Sequence, residues 1–173
     1  MSTRLDLSTL SLMDALDLAK LIEMEACHRY QMFAQQIGTV GEYDAGGFFA
    51  SMAENEAKHG QEIEERRKKL FGDTPARVTL DDLYDVEAPE MGEVRRDMSV
   101  LDAFKVGLAA EQKAYDFYND SLPGITDPDV VELFTELRDE ETEHVEMLEA
   151  AMAKLPASAS EKVEFDVDET PYL

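Results

Sequence analysis

The sequence has one cysteine, Cys27, among its 173 residues. A single thiol excludes a disulfide framework, a Cys₄ zinc or iron site and the paired CxxC motifs of a rubredoxin-type iron module. It fits a reducing compartment best. We therefore expect a cytoplasmic protein.

Long apolar runs are also missing. Nowhere do about 18 apolar residues follow one another, as a membrane-spanning helix requires. Near the start of the chain, Asp6, Asp14 and Asp17 interrupt the apolar residues, which argues against a signal peptide. The sequence thus predicts no membrane segment.

Basic residues are scarce, with 16 Lys and Arg against 39 Asp and Glu, for a formal charge of −23. This charge repels nucleic acid phosphates and anionic lipid heads and attracts cations, so we expect neither a nucleic acid nor a membrane as partner. A solvated acidic surface accounts for the charge by itself. The chain is long enough for one domain with a full core.

Apolar residues recur at steps of three and four in four stretches, which predicts four helices that pack in a bundle. Their expected ranges are about 12–37, 44–71, 100–122 and 128–155. Gly38 is expected to take the left-handed position after the first helix. Ser99 and Asp127 are expected to cap the third and fourth.

The remaining segments divide the chain into an arm, a bundle and a tail. We expect a loose arm over residues 1–11, the bundle over 12–155 and an acidic tail over 156–173. Residues 73–98 read as a long crossover between helices 2 and 3, with a short helical turn after Thr79. In the tail, Val163, Phe165 and Val167 alternate as in a strand.

Ionisable residues interrupt all four apolar stripes. The second stripe, for example, reads Phe49, Met52, Glu56, His59, Ile63, Arg66 and Leu70. A buried carboxylate is costly unless it shifts its pKa, pairs with a charge or binds a metal. The stripe positions predicted to act as metal ligands are Glu23, Glu56, His59, Glu111, Glu141 and His144.

An internal repeat supports one shared site. Glu23 and Tyr30 match Glu111 and Tyr118, and the Glu56, His59 pair matches Glu141, His144. All four glutamates fall near the middle of their helices, so they are expected to meet at one level of the bundle. Glu25 and His28 have the same spacing, but a helix turns by about 100° per residue, which places them about 200° away from the stripe. They are predicted to lie on the surface.

The charge of the site indicates which metals fit. Four glutamates and two neutral imidazoles are balanced by two divalent ions. Oxygen-rich ligation with one imidazole per ion suits iron or manganese better than zinc. Glu56 and Glu141 are then the natural bridging ligands, and Glu23 and Glu111 the terminal ones.

The repeated boxes, Asn55 to His59 and Glu140 to His144, each follow a helix that carries a stripe glutamate. Over about residues 12 to 155 the chain resembles the rubrerythrin and bacterioferritin branch of the ferritin-like di-iron superfamily. The resemblance implies an all-α, ferritin-like four-helix bundle with one long crossover. It also implies a carboxylate-bridged centre of two Fe ions and redox chemistry with oxygen or hydrogen peroxide.

Three features depart from that family. Rubrerythrins usually carry a further Glu ligand where this sequence has Ala114. The rubredoxin module is missing, so electrons are expected from an external donor such as a rubredoxin-like protein. The residue before each box glutamate is Asn55 or Glu140, either of which is able to hydrogen-bond a histidine on a facing helix.

The expected function is an oxidoreductase, a rubrerythrin-like peroxidase or ferroxidase, and a homodimer is the expected assembly. Tyr30 and Tyr118 lie on the stripe near the site, and their hydroxyls need partners such as a ligating carboxylate. We consider them as catalytic candidates, with a purely structural core role as the alternative. Three further alternatives stay open: a dimanganese site, an iron-storage protein without turnover, and an acidic helical adaptor with no metal.

Overall fold

The computed structural model describes residues 6–40, 42–79 and 98–161. Four helices dominate it: α1 (Leu12–Gln36), α2 (Ala45–Phe71), α3 (Val100–Ser121) and α4 (Pro128–Met152). Each begins at a capping side chain, from Ser11, Asp44, Ser99 and Asp127 respectively, that accepts a hydrogen bond from a first-turn N–H. The predicted all-α, ferritin-like four-helix bundle is confirmed.

The bundle is built from two helical hairpins. Helix α1 packs along α2 and α3 along α4, while α1 also touches α4. The buried apolar residues form two clusters, one around Leu16, Tyr118 and Phe134 and the other around Tyr30 and Phe104. In each helix, the stripe glutamate falls between the residues of the two clusters. A polar layer therefore lies across the middle of the core.

The turn between α1 and α2 differs from the prediction. Gly38 does not take the left-handed conformation, because within the described residues only Gly72 has a positive φ, of 60°. Instead the chain stays extended after α1 and forms a short antiparallel ladder of β1 (Thr39–Val40) and β2 (Tyr43–Asp44). The amide of Gly46 then donates to the carbonyl of Gly38 at 3.1 Å.

The end of α2 also departs from the predicted stripe. Leu70 is 51 % exposed, so its assignment to the core was wrong. Past Ile63, the side chain directed toward α1 is that of Arg67, whose Nε donates to Asp17 Oδ1 at 2.8 Å. Its Nη2 also donates to the carbonyl of Thr74 at 2.6 Å. In the last turns of α2, Arg67 therefore takes the inward position and joins both α2 and the start of the crossover to α1.

Parts of the predicted arm and tail pack on the bundle. A 3₁₀ turn forms over Leu7–Thr9, and Leu10 is buried in the core, so this part of the arm is not loose. Further 3₁₀ turns form over Leu122–Gly124 and Ala157–Ser160. The latter buries Ala159 against the bundle. The predicted helical turn after Thr79 and the strand-like alternation from residue 163 to 167 lie outside the described residues. No helix of the described ranges is long and apolar enough to cross a membrane.

Candidate metal centre

The six predicted ligand side chains converge in the polar layer between the two apolar clusters. Helix α1 brings Glu23, α2 brings Glu56 and His59, α3 brings Glu111, and α4 brings Glu141 and His144. Five of them are at most 4 % exposed, and His59 is the sixth, with 21 % of its side chain exposed. The convergence of carboxylates and imidazoles at one level, expected from the repeat, is what the structure contains.

His144 lies at the centre of one carboxylate group. Its Nδ1 is 3.3 Å from Glu56 Oε1 and 3.3 Å from Glu111 Oε2. Glu141 Oε2, one turn earlier on α4, is 3.7 Å from the same atom. One imidazole nitrogen therefore faces carboxylates from three helices.

His59 occupies the corresponding place on the other side. Its Nδ1 is 3.8 Å from Glu23 Oε2 and 4.0 Å from Glu140 Oε2. Its ring stacks on that of His144, with centroids 5.4 Å apart and planes 9° from parallel. The two histidines thus stand side by side, each directed at its own set of carboxylates.

Three overlapping groups bring ligand atoms within 4.8 Å of one another: Glu23 with His59 and Glu140, Glu111 with Glu141 and His144, and Glu56 with both histidines. Glu56 is the residue placed with both imidazoles. Glu140 was expected only as a hydrogen-bonding neighbour of a histidine, because it lies one position off the α4 stripe. The signal available in the sequence was that Glu140 stands where the first half has Asn55.

Several buried atoms of the cluster make no hydrogen bond within the described part of the chain: Glu56 Oε1, His59 Nδ1, Glu111 Oε2 and His144 Nδ1. Buried polar atoms are normally satisfied, and an unpaired one costs about 1–3 kcal/mol. His144 Nδ1 faces Glu56 Oε1 and Glu111 Oε2, each at 3.3 Å, and His59 Nδ1 faces Glu23 Oε2 at 3.8 Å. A bound cation would satisfy carboxylate and imidazole lone pairs together, so the donor set fits a metal.

The electrostatics of the metal-free cluster are those of crowded carboxylates. Burial, opposed by the charge of His144, raises the pKa of Glu56 well above its ordinary value. Burial would also raise the pKa of Glu111, but His144, Glu141 and Tyr30 lower it to about 2. Burial disfavours protonated His144, yet Glu111 and Glu56 raise its pKa to about 9. Protons therefore occupy the site when no cation does.

Residues 14–152 match the family model described as Rubrerythrin. The chain belongs to the rubrerythrin family. A solved structure with the same fold is that of an uncharacterised conserved protein from Magnetospirillum magnetotacticum MS-1. It is 25 % identical with a TM-score of 0.70, and the match covers 85 % of this chain and 97 % of that one. The comparison with curated proteins gives no match.

In this rubrerythrin-family chain, Tyr30 is tied directly to the cluster. Its hydroxyl donates to Glu111 Oε1 from the neighbouring helix α3. Burial, followed by the charge of Glu111, raises the pKa of Tyr30 well above its ordinary value, so the hydroxyl keeps its proton.

Tyr118 is equally buried but sits in the other half of the core. Its ring meets that of Phe134 edge-on, with centroids 5.2 Å apart and an angle of 80°. The expected contact of a stripe tyrosine with a site carboxylate is thus observed for Tyr30. For Tyr118 the structure shows aromatic packing.

Two further predictions concern residues around the rubrerythrin-type cluster. His28 is exposed and Glu25 is half-buried, as expected for the pair that lies off the stripe. Ala114 is fully buried, three residues after Glu111 on α3. The position where rubrerythrins usually carry a further glutamate is therefore apolar and inside the core.

Proposed function

We propose that this protein is a non-haem di-iron oxidoreductase of rubrerythrin type that reduces hydrogen peroxide or oxygen, oxidises ferrous iron, or does both. The observation that carries the proposal is the buried cluster of four glutamates and two histidines on four helices. A cluster with this many carboxylates is costly in an apolar core unless cations neutralise it.

The ligand arrangement supports two metal positions. Glu23 and His59 would hold one ion, and Glu111 and His144 the other, because each pair shares a group. Glu56 would bridge, since it lies in a group with both histidines, and Glu141 would bridge from the opposite hairpin. One imidazole per ion with several carboxylates favours iron, with manganese as the alternative.

The bound metals would supply the redox chemistry and activate the oxidant. The chain's own residues would seat the ions between the two apolar clusters and fix Glu111. Tyr30 holds a proton at Glu111 Oε1 and so orients that carboxylate. We propose this positioning as the catalytic contribution of Tyr30. We propose Tyr118, its counterpart in the internal repeat, as the second catalytic candidate.

Partners and compartment belong to the same proposal. Cys27 is the only cysteine of the sequence, so a Cys₄ iron site cannot form from it, and electrons would come from an external, rubredoxin-like donor. The single cysteine supports a cytoplasmic location, and the charge of −23 supports a protein that binds neither nucleic acid nor membrane. A homodimer is the assembly we propose.

Metal analysis of the purified protein, followed by stopped-flow absorbance of its diferrous form, tests the function. We expect about two ions per chain, from the number of ligand pairs, and oxidation by one equivalent of peroxide that stops until reductant is added. Oxidation by oxygen alone would identify a ferroxidase or oxygen reductase. Two bound irons without reaction would favour storage, bound manganese a dimanganese site, and no metal would exclude the proposal.

A further inference from the structure

A wide groove runs between α1 and α2 on the outer side of the cluster. It encloses about 860 Å³ and is open to solvent. Two of the proposed ligands, Glu23 and Glu56, line it, although they are only 3 % and 2 % exposed. The groove therefore leads from the surface to the carboxylates of the centre.

We infer that divalent metal ions reach the centre through this α1–α2 groove and that Gly60 keeps it open. The inference rests on the proposed function, because it takes the cluster to be a metal centre. It assigns a role to residues outside the ligand set, none of which the chemistry itself requires.

Gly60 lines the groove from the α2 side. It lies inside α2, where glycine is less favourable than alanine because it loses more conformational freedom. Its φ is not positive, and an added Cβ would meet only Glu23 Cβ, at an ordinary contact distance of 3.5 Å. Neither backbone conformation nor close packing requires glycine here. A larger side chain would extend from this position over Glu23 and fill the floor of the groove.

The groove is lined by side chains that are able to bind a cation. Glu56 lines it, and its Oε1 is a buried atom without a hydrogen bond in the described structure. Glu25, Cys27 and His28 also line the groove. Carboxylate, imidazole and thiolate groups are ligands of divalent metal ions. The lining therefore suits a passing cation better than a neutral molecule.

A second opening, between α2 and α4, is less suitable. It encloses about 230 Å³ and reaches the centre at His59 and Glu140, not at Glu23 or Glu56. Arg66 lines it and pairs with Glu136 across it, with Nη1 2.8 Å from Oε2. Each opening carries one such ion pair, since Lys20 pairs with Glu64 in the α1–α2 groove. Its smaller size and its lack of access to Glu23 and Glu56 are therefore what make this opening less suitable. This opening provides the matched control.

The test is the rate at which metal-free protein takes up Co²⁺, followed by stopped-flow absorbance, with the final metal content measured separately. In Gly60→Leu we expect uptake to slow by about tenfold or more, because a closed path must wait for local opening of the helix pair. The final content should stay at the wild-type value. Gly60→Ala and Glu62→Leu should load at the wild-type rate, since Glu62 lines the second opening.

Capping of Cys27 gives a second test that does not depend on folding of a variant. As the only cysteine of the sequence, it can exchange with a bulky disulfide reagent in the folded protein, which forms a mixed disulfide and releases one reagent thiol. A reductant then removes the cap. Capped protein should load slowly and recover after release, and Cys27→Ser treated in the same way should not change. The proposed function fails if wild-type protein takes up no ions. The entry path alone is contradicted if wild-type protein binds two ions while Gly60→Leu and the capped protein load as fast as wild type. It is also contradicted if Glu62→Leu is the variant whose uptake slows.

Discussion

His59 and His144 stack with their ring planes 9° apart and their centroids at 5.4 Å, although they come from different helical hairpins. Each follows a buried glutamate by one helical turn, and each Nδ1 is directed at the glutamate of its neighbouring odd-numbered helix. His59 Nδ1 lies 3.8 Å from Glu23, and His144 Nδ1 lies 3.3 Å from Glu111. The internal repeat of the sequence thus corresponds to two half-sites that meet at the two histidine rings.

Removal of either histidine should remove metal. Each of His59→Ala and His144→Ala takes one imidazole from one half-site and leaves buried carboxylates without a nitrogen partner. We expect the content to fall from two ions per chain, the number set by the two ligand pairs, to about one or less. Metal analysis after dialysis at fixed free iron measures the change.

His28→Ala is the matched control, because His28 also stands three residues after a glutamate but is exposed. It should keep the full metal content. Equal content in all three variants would exclude the assignment of the two buried histidines as ligands.

The helices and the convergence of the six side chains were predictable from sequence, because apolar spacing and burial cost act along each helix separately. Glu23 and Glu111 could be placed at one level without any knowledge of how their helices pack. The exposure of Leu70 could not be predicted in this way, since the orientation of the last turns of α2 depends on the ion pair of Arg67 with Asp17. That pair joins two helices and leaves no periodic signal in either one.

Glu140 shows the same limit within the site. One residue off the stripe, it would be assigned to the surface by phase alone, and its side chain is 42 % exposed. It reaches His59 because α2 and α4 face each other at that level, which only the packing of the hairpins determines. The groove beside Gly60 is likewise a property of two helices together. Sequence therefore predicts the ligands better than the access to them.

Metal binding should release protons and strengthen as pH rises. In the metal-free protein the pKa of His144 is raised to about 9, so its imidazole carries a proton near neutral pH. Burial also raises the pKa of Glu56, which favours a proton on that carboxylate. A cation must displace them, since only neutral imidazole and ionised carboxylate are ligands. For each proton displaced, the apparent affinity for Mn²⁺ should therefore increase about tenfold per pH unit between pH 6 and pH 8. The affinity should level off only once the pH passes the raised pKa values.

Isothermal titration calorimetry in buffers of different ionisation enthalpy measures the protons released. A binding enthalpy independent of the buffer, together with an affinity constant over this range, would contradict the protonated state of the empty cluster. His28→Ala should show the same proton release as wild type, because that residue is not in the cluster.

Tyr30→Phe should destabilise the metal-free protein without changing its packing. The hydroxyl donates to Glu111 Oε1 inside the core, and loss of a buried hydrogen bond to a charged group costs about 1.5–3 kcal/mol. Tyr30 is one of the groups that hold the pKa of Glu111 at about 2, against an ordinary 4.5. A carboxyl group whose pKa is lower in the folded protein than in the unfolded protein stabilises the fold at pH values above its unfolded pKa. The stability lost in Tyr30→Phe should therefore be largest at pH 7 and shrink as the pH falls from about 4.5 toward 2.

Chemical denaturation at several pH values measures this difference. Tyr115→Phe is the control, since Tyr115 is half-buried on α3 and has no such carboxylate contact described. A loss of stability equal in the two variants, or constant between pH 7 and pH 3, would show that the hydroxyl of Tyr30 does not stabilise the Glu111 carboxylate.

Two glycines of α2 should respond in opposite directions to the same substitution. In Gly46→Ala the new Cβ would overlap the carbonyl oxygen of Ile37, a backbone atom of the turn after α1. Because the amide of Gly46 also donates to Gly38, relief of that overlap disturbs the short ladder between α1 and α2, and we expect a loss of about 1–3 kcal/mol. In Gly60→Ala the new Cβ makes an ordinary contact at 3.5 Å, and we expect a gain of about 0.5–1 kcal/mol from the helix interior. Urea denaturation of both variants at one pH compares them directly. A loss in Gly60→Ala as large as that in Gly46→Ala would mean that close packing, and not an open groove, explains the glycine beside Glu23.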